Sequence, residues 1–247
     1  MTALLRAEAF IVHLKRAELR RPQVERLSAM LPLPVNVLDA VDGLALSQAK
    51  ADAVYHHQLY RPRYPFELRR TEIACFLSHR SAWQAIVDGG LDAGLIVEDD
   101  VELDETLFGP ALAMAMAEIR PGDYIRFPHR PHSDKGEVVA EADRVRLVRP
   151  DLIGTGMLMQ LVSREAAEEL LKATEIFDRP VDTTIQLRRL PGIQVLAMHP
   201  PAVREIGNLL GGSVVQSRTP KPLGEVVSRE IRRARYRLAL RLYRAWN

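Results

Sequence analysis

The 247-residue sequence contains a single cysteine, Cys75. One thiol excludes an intramolecular disulfide, sets aside any cysteine-based zinc site and fits a reducing compartment. Its neighbours, Ile73-Ala-Cys-Phe-Leu77, are apolar, so Cys75 reads as a core residue. Long uncharged runs are also missing. No stretch approaches the roughly 18 uncharged residues that mark a membrane-spanning helix. Met1–Phe10 carries Arg6 and Glu8 and lacks the apolar centre of a secretory signal. The expectation is a cytoplasmic chain, with peripheral contact to the inner face of the plasma membrane allowed. There is no internal repeat. Gly154-Thr-Gly156 lacks a following Lys-Ser/Thr pair, which excludes a P-loop.

The composition is that of a globular chain, 47% hydrophobic and 27% charged, long enough to bury a substantial core. The net charge of +2 conceals an asymmetry. Residues 217–247 hold nine Lys/Arg and two acids; the remainder is mildly acidic. The chain therefore divides into a main domain, 1–216, and a basic helical tail, 217–247.

The most informative stretch is Leu95-Ile-Val-Glu-Asp-Asp-Val101. An apolar strand runs straight into three carboxylates. Buried charge is costly unless paired or bound to a cation, so these acids belong at the exposed C-terminal end of a strand. Side chains alternate along a strand, which places Glu98 and Asp100 on one side and Asp99 on the other. Two convergent carboxylates suit Mn2+ or Mg2+, especially one shared with phosphates. The alternative is a solvated strand end that caps the next helix.

Along the chain, 9–14, 35–38, 94–98, 124–127 and 193–197 read as strands. Residues 128–143 read as a polar loop, 144–148 as an edge strand and 154–162 as a strand entered through glycines. Helices are predicted near 24–31, 72–87, 106–119 and 163–172, the last capped by Ser163. Residues 44–70 look like an irregular insertion. Strands alternating with helices argue an α/β fold with a mainly parallel sheet.

Four stretches then occur in one order: Phe10-Ile-Val-His-Leu-Lys-Arg16 with Arg20-Arg21; Leu38-Asp-Ala-Val-Asp-Gly43; Glu72-Ile-Ala-Cys-Phe-Leu-Ser-His79 with Trp83, leading to Glu98-Asp-Asp100; and Gly154-Thr-Gly with Pro180-Val-Asp182 and His199-Pro-Pro201. Together they closely resemble the family 25 glycosyltransferases, over roughly residues 8–205. The resemblance implies a GT-A-like fold and a metal-dependent, inverting hexosyltransferase. Such an enzyme moves a sugar, often galactose, from a UDP-sugar donor to a hydroxyl of a glycan or lipid-linked glycan acceptor, here a bacterial surface glycan such as lipooligosaccharide or capsule. It implies that Glu98-Asp99-Asp100 stands in for the Asp-x-Asp metal motif, with Glu98 and Asp100 as ligands. His199 is the third ligand by analogy with the terminal histidine of many GT-A enzymes. Two positions depart from the family pattern: His13 replaces the usual Asn, and Pro180-Val-Asp-Thr-Thr lacks a second acidic or aromatic residue.

Within that frame each residue takes a role. Arg16 and Arg20 follow the first strand, where a doubly wound sheet receives phosphates. Asp39 and Asp42 are placed to hold uracil or ribose. Ser78 and His79 face the substrate, and Gly154 and Thr155 let the backbone approach the sugar. Trp83 reads as core. Asp182, pinned by Pro180, is the candidate general base for the acceptor hydroxyl. His56, His57, His129 and His132 read as loop residues. In the tail, Ile231, Ala234, Leu238 and Leu242 at helical spacing, with arginines, Tyr236, Tyr243 and Trp246 between them, read as a basic amphipathic helix lying on an anionic membrane. Docking on the acidic body or on another subunit is the alternative. Nucleic acid is not expected as a partner. Two other functions stay open: a non-catalytic nucleotide-sugar-binding assembly protein, and a metal-dependent phosphoesterase.

Overall fold

The computed structural model describes residues 5–187, 190, 192–211 and 223–245, without the side chains of 223–227, 241 and 243–245. The boundary at 216/217, the side chain of Tyr243 and all of Trp246 therefore lie outside the described residues. In chain order the elements are β1 (Ala7–His13), a 3-10 turn (Glu18–Arg20), α1 (Arg21–Met30), β2 (Val35–Asp39), α2 (Gln48–Val54), α3 (Arg70–Asp88), β3 (Ala93–Glu98), β4 (Val101–Leu103), α4 (Phe108–Glu118) and β5 (Asp123–Arg126). They continue with β6 (Gly136–Ala142), β7 (Val145–Pro150), β8 (Met159–Ser163), α5 (Arg164–Ala173), α6 (Val181–Ile185), β9 (Gln194–His199), β10 (Val203–Glu205) and α7 (Leu223–Ala245).

The central strands are apolar on both faces, and their residues sort by the period of two. Ala9, Ile11, Leu95 and Val97 enter one core layer; Phe10 and Ile96 enter the other. Helices α1 and α4 cover the first face with Val24, Leu27, Ala111 and Leu112. Helices α3 and α5 cover the second with Phe76, Trp83, Ile86 and Leu170. Trp83 is fully buried and meets Phe76 edge to face, so it is a core residue. Ser163 caps α5 as expected: its Oγ accepts from the Ala166 N–H.

The eight-stranded sheet has the order β2-β1-β3-β8-β5-β9-β7-β6. It is mixed but mainly parallel. Strands β2, β1, β3, β5, β9 and β6 run one way, and β8 and β7 run against them. Because β8 is reversed, its entry lies at the same edge as the C-terminal ends of β1, β3 and β5. The Glu98 N–H accordingly donates to the Leu158 carbonyl at 2.8 Å.

Several boundaries differ from the sequence reading. Residues 136–142, inside the expected loop, form β6, and β6 rather than β7 is the sheet edge. Most of β6 is exposed, so it shows no buried apolar period and is made by backbone pairing with β7. Residues 154–158 are loop, and the strand begins at Met159. The insertion at 44–70 contains one short helix, α2, capped by Ser47.

The tail helix docks on the body, but through a different stripe from the one its sequence suggests. Tyr236 and Leu240 are buried against Leu187 and Tyr64. Arg229, Arg232 and Arg233 gather over the Phe66 ring at 4.6, 5.3 and 5.9 Å. Ile231, Leu238 and Leu242 remain half exposed on the outside. No described helix is long and apolar enough to cross a membrane.

Candidate active site

The site sits where β3 ends. Glu98 continues the strand alternation onto the α3 face, where its Oε1 lies 3.3 Å from His79 Nε2. Asp99 turns to the other face, as predicted. There it is buried between His13, whose Nδ1 is 2.8 Å from Oδ2, and Arg20, whose Nη1 donates to Oδ1 at 2.5 Å. The alternation then stops, because residues 99–100 form a turn into β4. Asp100 swings back toward Arg20, with 3.1 Å between Oδ2 and Nη1, so it joins Asp99 at that guanidinium and does not share Glu98's side as the strand alternation predicts.

Arg20 is therefore not a free phosphate ligand. It is buried, and its Nη1 is held between two aspartates. Burial works against its charge, but Asp99 and Asp100 outweigh that and raise its pKa. His13 fills a supporting role for Asp99, so its departure from the family's usual Asn still leaves a polar group at that carboxylate.

Negative charge exceeds positive here. Glu98, Asp99 and Asp100 converge on Arg20, and Glu205 adds its charge at Asp100, tied there by the Ile206 N–H donating to the Asp100 carbonyl. Burial, then the nearby Glu98, pushes the Asp100 carboxyl up to about 7 despite Arg20. Its Oδ1 is buried with no hydrogen-bond partner. A Cβ on Gly207 would lie 2.8 Å from Asp100 Oδ2, so glycine keeps the approach to this carboxylate open. An unsatisfied buried carboxylate oxygen amid surplus negative charge is what an oxygen-seeking divalent cation fits.

Opposite stands the glycine loop that opens β8. Arg126, buried at the end of β5, organises it: Nη1 donates to Asp134 Oδ1 and the Gly154 carbonyl, and Nη2 to the carbonyls of Thr155 and Gly156. Gly156 has a φ of +95°, and a Cβ there would lie 2.8 Å from the His129 ring. Its N–H donates to Asp182 Oδ2 at 3.0 Å, while Asp182 Oδ1 accepts from the Thr183 N–H and hydroxyl. The loop thus brings Gly154, Thr155 and Asp182 together.

Sequence reasoning missed Arg126 and Glu205, and it read His129 as a loop residue only. The buried His129 Nε2 has no hydrogen-bond partner and lies 3.8 Å from Glu205 Oε2. Burial, followed by the Arg130 charge, lowers its pKa. His199 does not join this group. Its Nε2 pairs with the Asp134 carbonyl at 3.0 Å, and two strands, β8 and β5, separate β9 from β3. At strand spacing that is roughly 14 Å, far beyond shared ligation. The one sequence signal for the neighbourhood of His129 was Arg126, a charge inside the buried run Tyr-Ile-Arg-Phe.

The remaining predicted residues sit nearer the β1–β2 edge. Arg16 and Asp42 face each other, Nε to Oδ2 at 2.8 Å, and this bond holds the Asp42 carboxyl below its usual value. Asp39 pairs with Lys15 in solvent. Ser78 is structural: its Oγ accepts from the Val41 N–H and donates to the Ala74 carbonyl, tying the β2 turn to α3.

Comparison with known proteins places these residues in a lineage. The chain is 37% identical over 100 residues to procollagen galactosyltransferase 2 of Homo sapiens, covering 39% of this chain and 16% of that protein. It is 31% identical over 105 residues to the human inactive glycosyltransferase 25 family member 3, covering 41% and 18%. The chain thus spans less than a fifth of these relatives' length. Among solved structures, a glycosyltransferase involved in glycosylation of the PBCV-1 major capsid aligns at TM-score 0.41 and 12% identity, over 78% of this chain and 81% of that one. The profile of glycosyltransferase family 25 (LPS biosynthesis protein) matches residues 6–185, well over half the chain. The chain belongs to glycosyltransferase family 25.

Proposed function

We propose that this protein is an inverting glycosyltransferase that moves a hexose, galactose first among candidates, from a UDP-sugar to a hydroxyl of a bacterial surface glycan. The observation that carries the reading is the buried, unsatisfied Asp100 oxygen within an acidic cluster at the β3 edge, in a chain of this family. Asp100 and Glu98 would hold a Mn2+ or Mg2+ ion, with His129 and Glu205 the nearest further donors. When bound, such an ion offsets the negative charge growing on the leaving diphosphate, an effect worth several kcal/mol.

The chain's own residues do the rest. Arg20 and His13 fix Asp99, and through it the turn that aims Asp100. Arg16 and Asp42 supply a polar pair for the nucleoside end of the donor. The Arg126-organised loop presents backbone to the sugar. Asp182, anchored to Gly156, accepts the proton from the acceptor hydroxyl as that oxygen attacks the anomeric carbon and the bond to UDP breaks. The exposed Ile231, Leu238 and Leu242 stripe, flanked by arginines, suits contact with an anionic membrane that carries a lipid-linked acceptor.

With purified protein, UDP-galactose and Mn2+ should yield UDP, and Asp100→Ala should lower the rate at least about a hundredfold. Unchanged release in that variant removes Asp100 from the mechanism. A second reading is a donor-binding protein without turnover. It is favoured by the engagement of both Asp182 oxygens with the Gly156 and Thr183 donors, and by similarity to an inactive family member. Calorimetric binding of UDP-galactose without product from any acceptor pool would support it.

A further inference from the structure

From the sequence, Cys75 is a core residue and a zinc site has too few thiols. The structure changes the count, because one thiol is not alone. Cys75 and His79 are four residues apart on α3, hence on one face of the helix and one turn apart. Glu98 reaches the same point from the end of β3. One ligand atom from each of Cys75, His79 and Glu98 lies within 4.8 Å of the others. His79 Nε2 and Glu98 Oε1 are already 3.3 Å apart. Around a tetrahedral zinc, with bonds of about 2.0–2.3 Å, ligand atoms stand about 3.3–3.8 Å apart, so modest side-chain movement closes the set.

We propose that Cys75, His79 and Glu98 form a binding site for a thiophilic divalent cation, Zn2+ first, separate in chemistry from the oxygen-rich position at Asp100. The ligand set is S, N and O, which soft and borderline cations prefer and Mn2+ or Mg2+ does not. Three protein ligands leave a fourth position for water.

The hydrogen bonding around His79 is consistent with this use. Its Nδ1 lies 3.3 Å from the Gln160 side-chain amide, which is buried. With zinc on Nε2, the ring proton moves to Nδ1, and a turned Gln160 amide accepts it through its oxygen. That is the second partner that metal-bound histidines generally have. Burial keeps the Cys75 thiol protonated in the empty site. Coordination displaces that proton to solvent and leaves the thiolate on the metal. One proton is released per zinc bound.

Glu98 belongs to both positions. Its recruitment by Cys75 and His79 takes a carboxylate from the donor-side cation, so zinc is an inhibitor of Mn2+-supported transfer. This consequence rests on the proposed role of Glu98; the zinc site itself does not.

Cobalt(II) reports thiolate ligation directly. The metal-free full chain should take up one Co2+ with a near-ultraviolet thiolate-to-cobalt charge-transfer band, and one equivalent of Zn2+ should abolish the band. Cys75→Ala, at a residue that itself has no assigned part in the reaction, should show no band and bind zinc at least about tenfold more weakly, a ligand being worth at least as much as an outer-shell partner. A folded wild-type protein without the band, or Cys75→Ala binding zinc as tightly as wild type, overturns the site. In UDP release from UDP-galactose with Mn2+, one equivalent of zinc should inhibit the wild type at least about tenfold more than Cys75→Ala. Equal inhibition of both overturns the shared use of Glu98. A wild type with no UDP release at all counts against the transferase reading, while the cobalt band still decides the zinc site.

Discussion

Two buried arginine–aspartate groups in this protein are built alike and end differently. At Asp178–Arg179 the account closes. Asp178 Oδ1 accepts from Arg179 Nε, and Oδ2 accepts from Arg179 Nη2 and the Tyr60 N–H. The remaining guanidinium donors reach the Tyr236 hydroxyl and the Tyr60 carbonyl. At Arg20 a single guanidinium faces Asp99 and Asp100 with Glu98 and Glu205 nearby, and one Asp100 oxygen has no partner. A matched pair holds segments together: here the insertion, the segment leading into α6 and the tail helix. A mismatched one keeps a carboxylate available, and the fold bears the cost of leaving it so.

Breaking the closed group should have the largest effect. Arg179→Ala leaves Asp178 buried and uncompensated, so unfolding free energy should fall by about 3–5 kcal/mol, read by denaturant titration. A loss below about 1 kcal/mol would show that the pair is not the clamp described.

The open group should respond with the opposite sign. The folded state raises the Asp100 carboxyl to about 7. Folded protein therefore holds a proton that unfolded protein releases near 4, and metal-free stability declines as pH rises from about 4 to about 7. Asp100→Asn removes that decline. It should be more stable than wild type at pH 8 by about 2–4 kcal/mol, with the gain vanishing near pH 4. Thermal unfolding at the two pH values checks this, and a destabilised variant at pH 8 would mean that Arg20 already satisfies Asp100.

Tyr236→Phe tests the rim of the closed group. It removes only the acceptor for Arg179 Nη1, and should cost about 1 kcal/mol in the same titration. Smallest is the outer stripe of α7. Leu238→Ser with Leu242→Ser should change stability by less than about 0.5 kcal/mol. The same variant should weaken binding to anionic liposomes in a sedimentation assay. Unaltered liposome binding would remove that stripe from any membrane contact.

Much of the scaffold was legible because its signals are local. The run Leu95–Val97 ending in three acids marked β3 and its exposed end, and Ser163 marked the start of α5. Strand β6 was not legible: a mostly exposed edge strand has no apolar period, and only its pairing with β7 makes it a strand. The tail was half legible. Helix and charge could be read, yet the buried stripe is Tyr236 and Leu240, because the partner surface at Tyr64 and Leu187 selects it.

The sequence alone determined an α/β chain with its acids at a strand end and its glycine loop at a strand entry. Hydrophobic period, caps and breakers act over a few residues and need no partner. Tertiary structure decided which charges are matched and which are left open. Arg20 and Asp99 lie 79 positions apart, and His13 and Asp99 lie 86 apart. Whether such groups meet depends on strand order. The same order sets His129 beside the acidic cluster and removes His199 from it. Asp178 and Arg179 are neighbours in the chain, but the Tyr60 and Tyr236 groups that complete them, like the partners of Arg20, are supplied only by the three-dimensional neighbourhood.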